Sequence, residues 1–284
     1  MDALVSLLSN FSLHAGVFYT GNICGIHDFE RDTERGHLHL IRSGWVQVRG
    51  VTRRRFEVTQ PTLMFLPRPD QHRLVTDDGP GSDVVCATVQ FGGSGVNPVT
   101  ASLPDLVMVP LAQMSGVDAL LDLMFEEAFH EHAGRQGVLD RLCEVLMIRL
   151  LRHCMALGLT QGGALAGLAD VRLGPVMAAM HEDPQHPWDL LGMAQLAGMS
   201  RARFAVRFRE VTGDTPADYL AAWRVMTAQR LLTRGAPVKQ VAEDVGYGSA
   251  SALSRAFVRR LGIAPGQWLR QQALPTQTET ALSL

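Results

Sequence analysis

The side chains of this 284-residue chain best able to do chemistry are its thiols and imidazoles. Cys24 sits in Gly21-Asn-Ile-Cys-Gly25, a loop or strand edge, and Cys86 lies inside the apolar run Val84–Phe91. Strands distant in sequence can be neighbours in a β-sandwich, so this pair is free to be bridged; the opposed reading is two buried small hydrophobes. Cys143 and Cys154 fall on one predicted helix, about 16 Å apart at 1.5 Å per residue. That is far beyond the ~7 Å Cα limit of a disulfide, and both are read as packing thiols. His37 and His39, two apart on a predicted strand, present both imidazoles to the same side, where they can hydrogen-bond or ligate. His130 and His132 are predicted on a helix, which turns them about 200° apart and prevents a shared metal.

Guanidinium is the other chemical resource. All but one of the 26 basic residues are arginine, Lys239 being the exception. The formal net charge of −2 hides an asymmetry. Residues 171–273 hold 13 basic against 8 acidic side chains, whereas residues 1–170 hold 13 against 19. A basic C-terminal third on an acidic body suggests a local polyanion-binding module. At 46% hydrophobic the chain is neither disordered nor fibrous. It lacks the run of ~18 apolar residues that a membrane span needs, and Met1-Asp-Ala3 lacks a positive signal-peptide head. Four cysteines are too few for a disulfide scaffold, so the expectation is cytoplasmic.

The elements that must position these groups are readable in outline. From about 10 to 110, short runs such as His37–Ile41, Trp45–Val48, Phe56–Val58, Leu63–Leu66 and Val84–Phe91, punctuated by glycine and proline, predict a β-sandwich or small barrel. From 116 the period becomes helical: Leu120, Leu121, Met124 and Phe125, then Leu139, Leu142, Leu146 and Leu150, predict a helical hairpin. Its leucines fit either dimerisation or packing on its own sheet. The segment 159–170, containing Gln161-Gly-Gly163, reads as a linker.

Beyond it, two segments share one plan. Leu190–Ala197, the turn Gly198-Met-Ser200 and the helix Arg201–Glu210 form the first. Val238–Val245, the turn Gly246-Tyr-Gly-Ser249 and the helix Ala250–Arg260 form the second. A short helix, a glycine turn and a serine-capped helix make a helix-turn-helix. Phe204 with Phe208, and Leu253 with Phe257, four apart, define the apolar faces. Thr215-Pro-Ala-Asp218 starts an intervening helix of about 27 Å. That length is suited to placing two recognition helices in successive major grooves, which repeat at about 34 Å.

On these residues the chain resembles the AraC/XylS family of bacterial transcription regulators. The pattern runs Leu196-Ala-Gly-Met-Ser200, Phe204, Phe208, Gly213, Pro216, Tyr219, Arg224, Ala228, Leu231-Leu232, then Val241-Ala, Val245-Gly-Tyr, Ser249, Leu253, Phe257, Gly262, Pro265 and Trp268. The resemblance implies two DNA-binding motifs and a cupin-type sensor domain, with Leu63–His72 similar to a strand of the latter. It implies DNA contacts at Arg201, Ala202, Arg203, Ala205, Val206 and Arg207 in the first recognition helix, and at Ala250, Ser251, Ser254 and Arg255 in the second. Ala202, Ala205 and Val206 depart from the polar base-readers common in relatives; they can touch a thymine methyl but donate no hydrogen bond. Arg255 is the candidate for a bidentate guanine contact, and Arg201, Arg203 and Arg207 for phosphate.

In the sensor, the opening and the cysteine placement resemble regulators that respond to reactive chlorine species. That implies Cys24 and Cys86 as a redox-sensing pair. His37-Leu-His39 is similar to the His-x-His of metal-binding cupins, implying a metal ion held by His37, His39 and His72. The glutamate that follows in catalytic cupins is replaced by Leu40, Ile41, Arg42 and Ser43, which argues against an enzyme.

The expectation is therefore an α+β chain. A cupin-like sensor spans 1–112, a helical hairpin that pairs two subunits 113–158, a linker 159–170, a double helix-turn-helix domain 171–273 and a disordered tail 274–284. It is a promoter-binding activator that contacts RNA polymerase and is controlled by oxidation. The alternatives are control by a small-molecule effector in the barrel and, more remotely, a metal-dependent cupin enzyme fused to a DNA-binding module.

Overall fold

A computed structural model describes residues 3–32, 34–51, 54–92 and 97–272 and divides into two compact units. The expected tail 274–284 lies outside the described residues.

The first unit, Phe11–Val171 with Val211–Gly213, is a two-sheet sandwich plus helices. Its strands are β1 (Leu13–Ile23), β2 (Ile26–Phe29), β3 (Gly36–Ile41), β4 (Val46–Arg49), β5 (Phe56–Val58), β6 (Thr62–Leu66), β7 (His72–Thr76), β8 (Ser82–Phe91) and β9 (Val107–Pro110). They form a five-stranded sheet ordered β1-β8-β3-β6-β9 and a four-stranded sheet ordered β2-β7-β4-β5, antiparallel throughout. Every residue of β3 and β6 is buried, which in β3 includes the two histidines His37 and His39 alternating with Leu38 and Leu40. Ile23, Ile41, Val46, Val48, Val58, Met64, Leu66, Leu74, Val84 and Cys86 fill the core.

A short helix, α2 (Pro98–Ala101), precedes β9, and the predicted hairpin follows as α3 (Asp118–Phe129) and α4 (Arg135–Ala156). α4 packs against β1, the edge strand of its own sheet. The register of β1 slips between Val17 and Tyr19, which leaves backbone groups unmatched at an edge. Asp140 and Gln136 of α4 complete them: the Val17 N–H donates to Asp140 Oδ1 at 2.8 Å, and Gln136 Nε2 donates to the Val17 carbonyl at 2.6 Å. Cys143 and Cys154 are buried on α4 as free thiols. Two expectations differ here. The supposed linker holds α5 (Gly163–Ala169), whose Ala164, Leu165 and Leu168 are buried against α2 and α4. The chain also leaves α3 at His130, so the His130 and His132 rings stack, 6.0 Å apart, and do not diverge.

The second unit comprises Met1–Asn10, Arg172–Glu210 and Asp214–Leu284. Its helices are α1 (Ala3–Asn10), α6 (Leu173–Glu182), α7 (Leu190–Leu196), α8 (Arg201–Thr212), α9 (Pro216–Thr233), α10 (Val238–Asp244), α11 (Ala250–Leu261) and α12 (Pro265–Gln272). α1 was expected with the sensor. It instead buries Leu4 and Leu7 and packs on α6 and α9, and Arg230 Nε donates to Asn10 Oδ1 at 2.8 Å. Among the described residues no single helix is long and apolar enough to cross a membrane.

Candidate nucleic-acid interface and sensor interior

The local sequence builds each recognition helix. Gly198 and Gly246 take φ of 61° and 80° in the two turns, conformations that side chains with a Cβ resist. A Cβ on Gly246 would also stand 2.8 Å from Arg224 Nη2. Ser200 Oγ accepts the Arg203 N–H at 3.4 Å and Ser249 Oγ accepts the Ala252 N–H at 3.2 Å, so both helices start on a serine cap. Phe204 and Phe208 of α8, and Leu253 and Phe257 of α11, are fully buried. Burying those faces turns the opposite faces outward. Arg201, Ala202, Arg203, Val206, Arg207, Ser251 and Arg255 are exposed, and Ala205, Ala250 and Ser254 half-buried. Thr215 caps α9, accepting the Asp218 N–H at 3.2 Å with Pro216 in the first turn. Ala205 of α8 and Arg255 of α11 line the same cleft, so the two recognition helices present side chains to one shared depression.

The sandwich interior gathers a second set of groups. His39 of β3 stands directly opposite Cys86 of β8, and His72 reaches them from β7 in the other sheet. The hydrogen bonds form a directed chain. His72 Nδ1 lies 3.2 Å from the Asp70 carbonyl, which only accepts, so this nitrogen carries the proton. In the neutral ring His72 Nε2 then accepts from His39 Nε2–H at 2.7 Å, leaving His39 Nδ1 to accept the Cys86 S–H at 3.1 Å. Phe29 stacks on His72 with centroids 5.0 Å apart and meets His39 edge-on at 4.6 Å. Burial lowers all three rings, and neighbouring imidazoles add to it at His39 and His72. His39 is well below the usual range, His72 is lowered to about 4, and His37 is lowered by burial against a partly opposing pull from Asp32. Burial pushes the Cys86 thiol up to about 12. His37 Nδ1 is buried without a hydrogen-bond partner.

This arrangement is a hydrogen-bonded chain and not, as it stands, the expected metal centre. Two nitrogens on a tetrahedral zinc stand about 3.3 Å apart, whereas His39 and His72 are already 2.7 Å apart in a direct bond. Among the described residues no group of three His, Cys, Asp or Glu is placed to hold a metal ion. His37, His39 and His72 do not fit that role as they stand.

The two candidate redox thiols differ sharply. Cys24 is exposed, its Sγ donating to Asn22 Oδ1 at 3.3 Å, while Cys86 is fully buried. Gly81 must be glycine for the Cys24 loop to lie where it does, since a Cβ there would stand 2.6 Å from Cys24 Sγ. Ile23 pairs with Ser82 and Tyr19 with Cys86. Cys24 is therefore displaced from Cys86 by about 16 Å along the ladder, at ~3.3 Å per residue. The structure does not bring this pair together.

Sequence reasoning missed Phe29, the Asp70 carbonyl and the sharing of one cleft by the recognition helices. Only the last had a signal: Arg255 and Arg259, four apart, mark one face of α11.

Comparisons with known proteins find two families along the chain. A cupin family model matches residues 2–156 and a helix-turn-helix domain model residues 193–271. A putative AraC-like transcription regulator of Streptomyces antibioticus is 36% identical over 178 residues, 61% of this chain but only 58% of its own length. Another, from Streptomyces lividans, is 32% identical over 69% of this chain and 67% of its own. RclR of Escherichia coli K12, an RCS-specific HTH-type transcriptional activator, is 29% identical over 94% of this chain and 97% of its own.

Proposed function

This chain belongs to the AraC family of DNA-binding transcription regulators that carry an N-terminal cupin domain, and from that premise we propose that it is a promoter activator responding to reactive chlorine species. The DNA-binding reading rests on one observation: two serine-capped helices with buried apolar faces turn outward the residues to which the resemblance assigns DNA contacts. Arg255 reads a guanine, Arg201, Arg203 and Arg207 hold phosphates, and Ala202, Ala205 and Val206 meet thymine methyls. Arg255→Ala is expected to cost about 1–3 kcal/mol on the preferred site and to relax preference there. Arg207→Ala should weaken every sequence alike. A gel-shift series on the wild type and both variants tests this; equal losses on all sequences for Arg255→Ala would remove the assigned role.

The oxidant reading is supported by the name of the full-length E. coli relative and by the exposure of Cys24. The Cys24 thiolate attacks the chlorine of hypochlorous acid, forming S–Cl as Cl–O breaks and hydroxide leaves. The Cys86 sulfur then displaces chloride, forming S–S, and its proton leaves to water as the strand opens. The end of β1 must leave its register for that second bond, so oxidation remodels the edge strand that α4 braces. Subunits pair through the outer face of α4, where Val138 and Val145 are 37% and 47% exposed. Brief alkylation of the native protein is expected to modify Cys24 alone, with Cys86, Cys143 and Cys154 reacting only after unfolding, read by peptide mass. A Cys24→Ser, Cys86→Ser variant whose promoter response to hypochlorite persists would favour an effector in the sandwich instead.

A further inference from the structure

The two helix-turn-helix motifs leave between them a cleft of about 760 Å³, floored by α9. Its walls are apolar: Trp188 from the segment before α7, Met193 from the first motif, Leu220 and Val225 from α9, and Tyr247 from the second motif. Its charge is one-sided. Arg224, Arg255, Arg259 and Arg260 line it against a single carboxylate, Asp218. That carboxylate is occupied by the helix cap, accepting the Thr215 hydroxyl at 2.7 Å. Among the described residues none of the four arginines has a carboxylate within ion-pair distance. Arg224 donates instead to the carbonyls of Pro184 and His186 and lies over the Tyr247 ring at 5.7 Å. Small-molecule sites are typically concave volumes of roughly 300–1,000 Å³, mostly apolar with a few fixed polar groups. Weakly hydrated guanidinium beside an apolar wall favours an anion attached to an apolar body.

We propose that this cleft binds a small apolar organic anion, its ring or chain on the Trp188, Leu220 and Tyr247 wall and its charge on Arg255 and Arg259. Ala205 and Arg255 belong both to the cleft and to the DNA-facing set, so ligand and duplex exclude one another; this second part rests on the DNA-binding reading above. The site offers a way to switch off promoter binding that bypasses the sandwich.

The test uses the full chain and the fluorescent sulfonate 8-anilino-1-naphthalenesulfonate. The expected result is a saturable signal with one dye per chain, displaced by nonspecific duplex DNA. N-phenyl-1-naphthylamine, which has the same rings without the charge, should bind at least about tenfold more weakly. Arg259→Gln should weaken the dye by roughly tenfold. Ala221→Trp, which fills the cleft from an exposed position on α9, should abolish the signal. Both are surface changes, and thermal melting checks that the helical unit stays folded. Dye binding unchanged in both variants, or equal binding of the uncharged analogue, overturns the site. A cleft-dependent signal that DNA fails to displace, in a chain that does bind DNA, overturns the exclusion. A chain that binds dye in the cleft but no DNA leaves the site standing and sinks the regulator reading.

Discussion

DNA binding by this chain is expected to weaken about a thousandfold when salt rises from 50 to 200 mM. Arg201, Arg203, Arg207, Arg209, Arg259 and Arg260 are all exposed on α8 and α11. Each phosphate they neutralise releases condensed counterions and adds about 0.9 to the slope of log affinity against log salt. Six contacts give a slope near −5, and a fourfold change in salt then costs about three decades. Fluorescence anisotropy with a labelled promoter duplex at four salt concentrations measures it. A slope shallower than about −2 would mean that these guanidinium groups do not face the backbone.

Acidification should destabilise both units well before carboxylates protonate. In the unfolded chain a histidine titrates near 6.5. Folding lowers His72 to about 4 and His181 to about 3, and pulls His39 down in the same direction. His181 is held neutral by burial, stacked on Trp223 at 3.5 Å with its Nε2 bonded to the Tyr219 hydroxyl at 2.8 Å. Between the folded and unfolded values the unfolded chain carries more protons, so stability rises with pH across that window. The contribution is fully present above 6.5 and is lost as pH falls through it toward the folded values. At pH 5 His72 and His181 have each cost about 2 kcal/mol relative to pH 7. Urea unfolding at pH 7, 6 and 5 should give falling midpoints, the sandwich falling further because it holds two of these rings. Midpoints that stay level would show that the imidazoles are not held neutral.

The helical half was legible because its signals are local. Gly198, Ser200, Thr215, Pro216, Gly246 and Ser249 each act within one turn of their own position, and the helix boundaries follow them to within a residue or two. The sandwich was legible only as a class. β1 and β7 mix small and polar residues, and what makes them strands is pairing with β8 and with β2 and β4. The opposition of His39 to Cys86, and the 16 Å slip between Cys24 and Cys86, are facts of register between distant segments that no spacing along the chain encodes. α5 was missed because Gly162, Gly163 and Gly167 read as flexible, although Ala164, Leu165 and Leu168 already carried a helical stripe. α1 had the same kind of unread signal in Leu4 and Leu7.

Promoters served by this regulator should carry their information unevenly. On the contacts proposed above, the bases under α8 are met only by methyl groups and can drift in evolution with little loss, whereas those under α11, read by Arg255 and two serine hydroxyls, cannot. Aligned upstream regions of its target genes would therefore be expected to display one sharp box and, a helical turn away, a blurred A·T-leaning one. A search for targets that demanded two equal boxes would overlook most of the regulon.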